Sequence, residues 1–321
     1  MIEELSNGLN SRIVTVTLNP VFDKSLLIPD FRPGGTFIAE ESLTLAAGKG
    51  VNVSRVLKNV SIDSIVSGIL PREGKDIYHK LLESDGFTHD FISTEGVIRT
   101  NVTIVSRAHD GETHLRERGP TVRRSALDLL KKKLVTLIED ETLFVFSGSI
   151  PEGLPSSSYG DLIDVVKRYG CSAFLDTSKN ALRNALSSGP LFIKPNLKEV
   201  QDALGYLPGN KEELKKACAD FHALGIENVM ITMGKDGVVL SRKDEIVLAR
   251  VEISAPVNSV GSGDAAVAGS VIGILKGLNT KSIARLACAF GGANTLVSGA
   301  GMFRYKDVER LYGRIKILSL R

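Results

Sequence analysis

Residues 258–269 combine the residue types that phosphoryl transfer to an alcohol requires. The glycine-rich turn Gly261-Ser262-Gly263 leads into an apolar helical pattern that continues to Leu275. A helix start offers unpaired N–H groups and positive dipole charge, which favour phosphate binding. Asp264 falls in the first turn, where its carboxylate can take a proton from a nearby hydroxyl. The segment therefore indicates an anion site beside a base.

The same spacing also has a purely structural interpretation. Ser262 can cap the helix, and Asp264 can complement the positive end of the helix dipole. The spacing of these residues does not separate the two interpretations, so both stay open at this point.

Polar and glycine-rich clusters occur at five other places in the chain. They are Asn19-Pro20-Val21-Phe22-Asp23, Ala47-Gly48-Lys49-Gly50-Val51-Asn52, Ser147-Gly148-Ser149-Ile150-Pro151, Lys194-Pro195-Asn196-Leu197-Lys198-Glu199 and Thr232-Met233-Gly234-Lys235-Asp236-Gly237. Asp23 can accept hydrogen bonds from two adjacent sugar hydroxyls, or it can mark a turn. Lys49 supplies a cation between glycines, although the GxxxxGK[ST] spacing of a P-loop is absent. Asn196 and Glu199 have the spacing of a helix capping box, and their oxygens also suit Mg²⁺ held through water.

The composition is that of a soluble protein. The chain has 321 residues, 43% of them hydrophobic and 24% charged, with a formal net charge of +3. This charge is too small to indicate binding to nucleic acid or to a membrane surface. The three scattered cysteines suit a reducing compartment. Residues 1–11 form a polar extension unlike a signal peptide, and no apolar run approaches the roughly 18 to 20 residues of a membrane span, so we predict a cytoplasmic protein.

Alternating strands and helices predict an α/β fold. The apolar strand patterns cover residues 13–18, 143–146, 173–175, 191–193 and 229–232. The helical patterns cover residues 51–59, 125–139, 159–169, 197–204 and 212–224. Short apolar strands separated by helices of this length predict a mostly parallel central sheet with helices on both faces. Such sheets bind ligands beyond the carboxyl ends of their strands, which is where the polar clusters fall.

Two segments, 24–46 and 99–119, lack a helical period and are predicted to form a small β-sheet lid over the strand ends. In the second segment, residues 103–107 and 114–118 form a predicted hairpin around residues 109–112. No linker marks a boundary into two independent domains. We therefore predict one domain over residues 12–321, with the two lid segments inserted.

These clusters, in this order, resemble the ribokinase-like, phosphofructokinase-B family of carbohydrate kinases over essentially the whole chain after residue 11. Residues 47–52 and 258–269 carry its main signatures. The Asn-Pro-x-x-Asp opening at 19–23 and Arg-Glu-Arg-Gly-Pro at 116–120 resemble the branch that contains 1-phosphofructokinase and tagatose-6-phosphate kinase. The resemblance implies the ribokinase-like fold, whose β lid closes over the sugar and often builds a homodimer.

The resemblance also implies a role for each candidate residue. Asp264 would be the catalytic base, and the N–H groups of Gly261, Ser262 and Gly263 would hold the transferring phosphoryl group. The substrate-binding residues would be Asp23, Gly48, Lys49, Asn52, Arg99 and Ser149, with Lys49 and Arg99 as the cations for the phosphate already on the substrate. Asn196 and Glu199 would hold Mg²⁺ through water. The residues near ATP would be Lys194, Asn196, Glu199, Thr232, Gly234 and Asn294.

The implied reaction is ATP- and Mg²⁺-dependent phosphorylation of a ketohexose phosphate. Fructose 1-phosphate giving fructose 1,6-bisphosphate is the expected reaction, with tagatose 6-phosphate as the alternative substrate. An alternative of another class is a catalytically silent sugar-phosphate sensor, but a binding protein has no use for Asp264 as a base.

Two residues depart from the family pattern. Ala47 stands where the family usually has glycine, a change that causes no strain if the φ of this residue is negative. Arg118 stands where the family commonly has proline, and this departure leaves the identity of the sugar open.

Overall fold

The computed structural model describes residue 9 and residues 11–108, 111–242, 245–297 and 299–320. The strands in these ranges are β1 (Ile13–Thr17), β2 (Val21–Ile28), β3 (Glu41–Ala47), β4 (Ile65–Glu73), β5 (Thr88–Val97), β6 (Arg99–Ser106), β7 (Glu112–Arg116), β8 (Leu143–Ser147), β9 (Ser172–Asp176), β10 (Phe192–Ile193), β11 (Asn228–Thr232), β12 (Val238–Arg242), β13 (Glu245–Arg250) and β14 (Lys316–Ser319). The helices are α1 (Lys49–Asn59), α2 (Lys75–Ser84), α3 (Arg124–Thr136), α4 (Ser158–Lys167), α5 (Lys179–Ala185), α6 (Leu197–Leu204), α7 (Lys211–Ala223), α8 (Ser262–Leu275), α9 (Thr280–Asn294) and α10 (Tyr305–Arg314).

Ten strands form the central sheet in the order β14-β13-β12-β11-β10-β9-β8-β1-β4-β5. Neighbouring strands from β11 to β5 are parallel, and those from β11 to β14 are antiparallel. The prediction of a mostly parallel sheet is therefore confirmed. Strand β5 was not predicted. It lies at the edge of the sheet, and most of its residues are exposed or half-buried, so the sequence has no apolar run there.

Alternate strand residues supply two hydrophobic cores, one on each face of the sheet. Ile13 and Val145 pack into a core with residues of α1, α8, α9 and α10. Val14 and Phe144 pack into the opposite core with residues of α3, α4, α5 and α7. Because both faces are covered, these strands are continuous apolar runs in the sequence. Helices on both faces are thus confirmed. Among the described residues, no helix has both the length and the apolar character that a membrane crossing requires.

The two segments without helical period form one separate four-stranded sheet, in the order β3-β2-β6-β7. Strands β2 and β6 pair in parallel, and β6 and β7 form the predicted hairpin. Residues 109 and 110 of its predicted turn lie outside the described residues, as do residues 1–8 and 10 of the predicted N-terminal extension. The register aligns Asp23 with Asn101 and Asn101 with Arg116, so these three residues share one face of the lid sheet.

Candidate active site

The carboxyl ends of the parallel strands and the lid sheet border one cavity of about 1020 Å³. The predicted site residues that line it are Asp23, Gly48, Lys49, Asn52, Arg99, Lys194, Asn196, Glu199, Thr232, Gly234, Gly261, Ser262, Gly263 and Asp264. These residues come from segments as distant in sequence as β2 and α8. The fold brings them together because parallel strands place all their carboxyl ends at one edge of the sheet.

Asp264 is buried at the start of α8, with 5% of its surface exposed. The side-chain amide of Asn52, on α1, donates a 2.8 Å hydrogen bond to Asp264 Oδ2. Burial raises the pKa of Asp264 to about 6, while Lys49, Asn52 and Lys194 favour its ionised form and the negative charge of Asp176 opposes it. A carboxylate with a pKa near neutral is suited to accept a proton from a hydroxyl group.

The turn before α8 favours the anion-site interpretation of this segment. Gly261, not Ser262, is the N-cap, and no side chain caps the helix. Its φ of 81° is a left-handed conformation, and a Cβ at Gly261 would lie 2.4 Å from Ala300 Cβ, so only glycine fits here. The Oγ atom of Ser262 is buried without a hydrogen-bond partner among the described residues. The helix-cap interpretation of Ser262 is therefore wrong. The N–H of Ser262 donates to the Ser259 carbonyl at 3.2 Å, so the donors that suit an anion here are the buried hydroxyl and the other N–H groups at the start of α8.

Asp176 holds two lysines of the cavity lining, Lys49 and Lys194. It is the last residue of β9 and is 1% exposed. Lys49 Nζ lies 3.3 Å from both of its carboxylate oxygens, and Lys194 Nζ lies 3.1 Å from Oδ1. Burial favours the neutral acid, but Lys194 and Lys49 outweigh it and hold the pKa of Asp176 below its ordinary value. Burial disfavours the charge of Lys49, yet Asp176, Asp264 and Glu199 raise its pKa above the usual value.

The lid end of the cavity presents one carboxylate among cations. Asn101 Nδ2 donates a 3.0 Å hydrogen bond to Asp23 Oδ1. Burial raises the pKa of Asp23, while Asn101, Arg116 and Arg99 lower it. Arg116, on β7, lines the cavity together with these residues. The lid end therefore offers both hydrogen-bond acceptors for hydroxyl groups and positive charge for an anion.

Arg99 both forms hydrogen bonds that connect two segments and contributes positive charge to the cavity. Its Nη2 donates to the carbonyl of Asn19 at 3.0 Å, and its Nη1 donates to the carbonyl of Glu117 at 3.1 Å. These two bonds join the loop after β1 to the segment after β7. The Nε atom of Arg99 is buried and has no partner among the described residues. Arg99 therefore presents a positive charge to the cavity while it holds the lid against the central sheet.

At the other end of the cavity, the predicted capping box of α6 is confirmed. Asn196 Oδ1 accepts from the Glu199 N–H, and Glu199 Oε2 accepts from the Asn196 N–H at 2.8 Å. Burial raises the pKa of Glu199, which Lys194 opposes. Among the described residues, no group of three or more His, Cys, Asp or Glu side chains could hold a metal by themselves. One carboxylate on the cavity wall fits Mg²⁺ that takes its other ligands from water and phosphate oxygens.

Beyond Glu199 the lining becomes more apolar. Thr232 is the last residue of β11 and Gly234 follows the strand, and the wall continues through Val251, Ile253 and Cys288. The wall also contains Gly291 and Gly292 of α9. An apolar slot next to cations and a helix N-terminus suits a flat aromatic group that is attached to phosphates.

Two predicted site residues lie outside the cavity lining. Asn294 is fully buried; its Nδ2 donates to the Val260 carbonyl, and its Oδ1 accepts from the Gly301 N–H, both at 2.7 Å. It therefore supports the turn before α8 from behind. Ser149 is exposed, and its Oγ accepts a 3.2 Å hydrogen bond from Asn19. The departure at Ala47 causes no strain, because this residue is in β3 and its φ is not positive.

Sequence reasoning missed three residues of the site. Asp176 directly follows the predicted strand 173–175, so the strand-end argument applied to the other clusters would have found it. Asn101 and Arg116 reach the cavity through the pairing of β6 with β2 and β7. No signal in the sequence sets that register, because a shift of one residue turns each side chain to the other face.

The chain is similar to known proteins over most of its length. The model of the pfkB family of carbohydrate kinases matches residues 30–304. The 1-phosphofructokinase of Rhodobacter capsulatus is 34% identical over 280 residues, which are 87% of this chain and 89% of that protein. The tagatose-6-phosphate kinase of Staphylococcus epidermidis is 29% identical over 312 residues, 96% of this chain and 100% of that protein. Phosphofructokinase-2 from Escherichia coli shares the fold, with a TM-score of 0.89 at 21% identity over 94% of this chain and 98% of that chain.

Proposed function

Because the chain belongs to the pfkB family of carbohydrate kinases, we propose that it transfers a phosphoryl group from ATP to a ketohexose phosphate. Fructose 1-phosphate giving fructose 1,6-bisphosphate is the proposed reaction, and tagatose 6-phosphate is the alternative substrate, since relatives of both names match nearly the whole chain. The observation that supports this proposal is a single cavity with cations at the lid end, a buried carboxylate in the middle and an apolar slot at the other end.

Asp264 is the proposed base. Asn52 occupies its Oδ2, so the other oxygen remains to take the proton of the attacking hydroxyl. The N–H groups at the start of α8 and the buried Ser262 hydroxyl face the position where charge develops on the transferring phosphoryl group. The base thus directly follows the three residues of the anion site in the same helix turn, which would bring the hydroxyl and the phosphoryl group side by side.

The two cations predicted for the substrate phosphate have different surroundings. Arg99 lies at the lid end with Arg116, whereas Lys49 lies against Asp176 near Asp264. We assign the existing phosphate of the substrate to Arg99 and Arg116, because guanidinium groups bind phosphate bidentately. Lys49 and Lys194 are then placed to neutralise the phosphoryl group in transfer.

The opposite end of the cavity is the proposed ATP site. The adenine ring fits the slot beyond Thr232 and Gly234, and Lys194 lies between this slot and α8. Mg²⁺, when bound, neutralises the phosphates and orients them for in-line transfer. Glu199, with Asn196 beside it, would hold the ion through water.

The proposal is tested by the rate of ATP turnover on four acceptors: fructose 1-phosphate, fructose 6-phosphate, tagatose 6-phosphate and ribose. Turnover that is fastest on fructose 1-phosphate supports the proposed reaction, and turnover fastest on tagatose 6-phosphate supports the alternative. Faster turnover on ribose would contradict a substrate that already carries a phosphate. Binding of the sugar phosphates without any turnover would support the sensor instead.

We also propose that the lid joins two copies of the chain and that the enzyme works in the cytoplasm. Leu43 on β3 and Leu115 on β7 are 47% and 55% exposed on the outer strands of the lid sheet, and a second lid would cover such residues. The three cysteines are free and buried, which supports a reducing compartment. Light scattering on the purified protein and on Leu115→Lys tests the dimer, which the lysine should dissociate.

A further inference from the structure

Arg55 is a buried cation that the proposed reaction does not use. It lies on α1, one helical turn after Asn52, and only 7% of its surface is exposed. Its guanidinium carbon lies 5.6 Å from the centre of the Phe87 ring. Burying a charge is costly unless hydrogen bonds replace the lost water, so the partners of Arg55 show what its position serves.

Three acceptors share the guanidinium group. Nη2 donates to the carbonyl of Ala46 at 2.7 Å and to Asp85 Oδ2 at 3.0 Å, while Nη1 donates to Asn52 Oδ1 at 3.3 Å. Asp85, directly after α2, is the part of this group nearest to solvent. Arg55 is therefore anchored at its outer side and directed towards Asn52 at its inner side.

The orientation of the Asn52 amide follows from these contacts. An arginine has donors but no acceptor, so only the oxygen of Asn52 can face Arg55. The nitrogen of the amide then faces Asp264, to which it donates at 2.8 Å. The opposite orientation would place two donors together at Arg55 and two acceptors together at Asp264. A hydrogen bond donated to a carboxylate stabilises its ionised form.

We propose that Arg55 is a positioning residue for the reaction: through Asn52 it holds Asp264 hydrogen-bonded at one oxygen and ready to accept a proton at the other. This inference rests on the proposed role of Asp264 as the base. The charged groups that face Asp264 are Lys49 on α1, Asp176 on β9 and Lys194 after β10. Those that face Arg55 are Asp85 and Asp23. None of these groups fixes the Asn52 amide in the described contacts, so the effect of Arg55 is separable from theirs.

The test measures the pH dependence of kcat for Arg55→Met. The methionine fills the space without donating, so Asn52 can rotate away from Asp264. We expect kcat at pH 5 to fall about tenfold and the acidic limb of the kcat profile to move up by about one pH unit, because the loss of one hydrogen bond to a charged group raises the pKa of the base. The KM for ATP should stay within about twofold of the wild-type value. In an Asn52→Ala background the same substitution should change kcat less than about twofold, because Arg55 acts through Asn52.

Asp85→Asn is the matched control. It breaks the ion pair on the outer side of Arg55 and leaves the bond to Asn52, so it should lower stability without moving the acidic limb. A folded Arg55→Met enzyme with the wild-type limb would overturn the proposal, as would an equal loss of kcat in the Asn52→Ala background. If Arg55→Met does not fold, Arg55→Leu, whose side chain also has no donor, is judged by the same shift of the acidic limb.

A second measurement separates this inference from the proposed function. The pKa of Asp264 can be obtained from the pH dependence of unfolding, with Asp264→Asn as the reference, and this needs no turnover. Arg55→Met should raise that pKa by about one unit. If the wild-type chain phosphorylates none of the sugars, the proposed function is wrong, while an unchanged pKa of Asp264 in Arg55→Met would overturn the role of Arg55.

Discussion

Replacing Asp264 with asparagine should abolish most catalysis and, at the same time, stabilise the fold. Burial raises the pKa of Asp264 from 3.8 to about 6, so the native state carries the ionised carboxylate at a cost above that pH. A difference of about two pH units corresponds to about 3 kcal/mol. Asparagine keeps the shape without the charge. At pH 7.5 the variant should therefore be more stable than the wild-type protein by up to about 3 kcal/mol.

The sign of this effect is set by proton binding. A raised carboxyl pKa means that the native state binds the proton more tightly than the unfolded chain does. The resulting contribution to wild-type stability is present below about pH 4 and is lost as the pH rises through about 6. Asp264→Asn lacks this titration, so the two stability curves should converge below about pH 4, separate between about pH 4 and 6, and stay apart at higher pH.

Two assays check the prediction. Urea unfolding between pH 5 and 8 compares the stabilities, and steady-state kinetics compare kcat, which should fall by roughly 10² to 10⁴ when the base is removed. A variant that is less stable than the wild-type protein at pH 7.5 would refute the argument that burial dominates at Asp264. A variant that keeps more than about a tenth of the wild-type kcat would refute its role as the base.

Three further predictions concern the lid and the central lysines. Arg99→Ala should raise the KM for the sugar phosphate roughly ten- to a hundredfold, since a charged hydrogen bond to phosphate is typically worth about 1.5 to 3 kcal/mol; steady-state kinetics in which only the KM for ATP rises would reverse the assignment. Asp176→Asn should lower the free energy of unfolding by about 3 kcal/mol, because it leaves Lys49 and Lys194 without their shared anion. Asp161→Asn, which breaks the more exposed pair with Lys131, should cost less than about 1 kcal/mol in the same denaturant titration. Hydrogen exchange should show protection of segments 24–46 and 99–119 by sugar phosphate, and protection confined to the helices would contradict a closing lid.

Helix α6 and strands β1 and β8 show what made an element predictable from the sequence. Helix α6 begins and ends at the predicted residues because its capping box and its apolar spacing agree. Strands β1 and β8 have every residue buried, so their apolar runs are unmistakable. Strand β14 joins the same sheet at its edge, with only partial burial, and leaves no such signal.

The residues of the candidate site likewise include some that could be predicted from local sequence and some that could not. The clusters at residues 19–23 and 194–199 were predictable because polar residues directly follow apolar strand patterns. Those at 47–52 and 258–264 were predictable because their glycines directly precede helical patterns. The side chains that contact those residues could not be predicted. Asp176 binds lysines 127 residues before it and 18 residues after it, at positions 49 and 194. Arg55 reaches Asp264 only through Asn52.

The sequence by itself determined the kind of sheet, the edge at which the candidate site lies and the residue types available there, because these follow from local apolar patterns and short motifs. The tertiary structure decided which charges meet. It placed Lys49 beside Asp176, aligned Arg116 with Asn101, and turned Asn294 into a support behind the α8 turn. The physical reason is that burial and distance, which set hydrogen bonds and pKa values, depend on segments far apart in the chain.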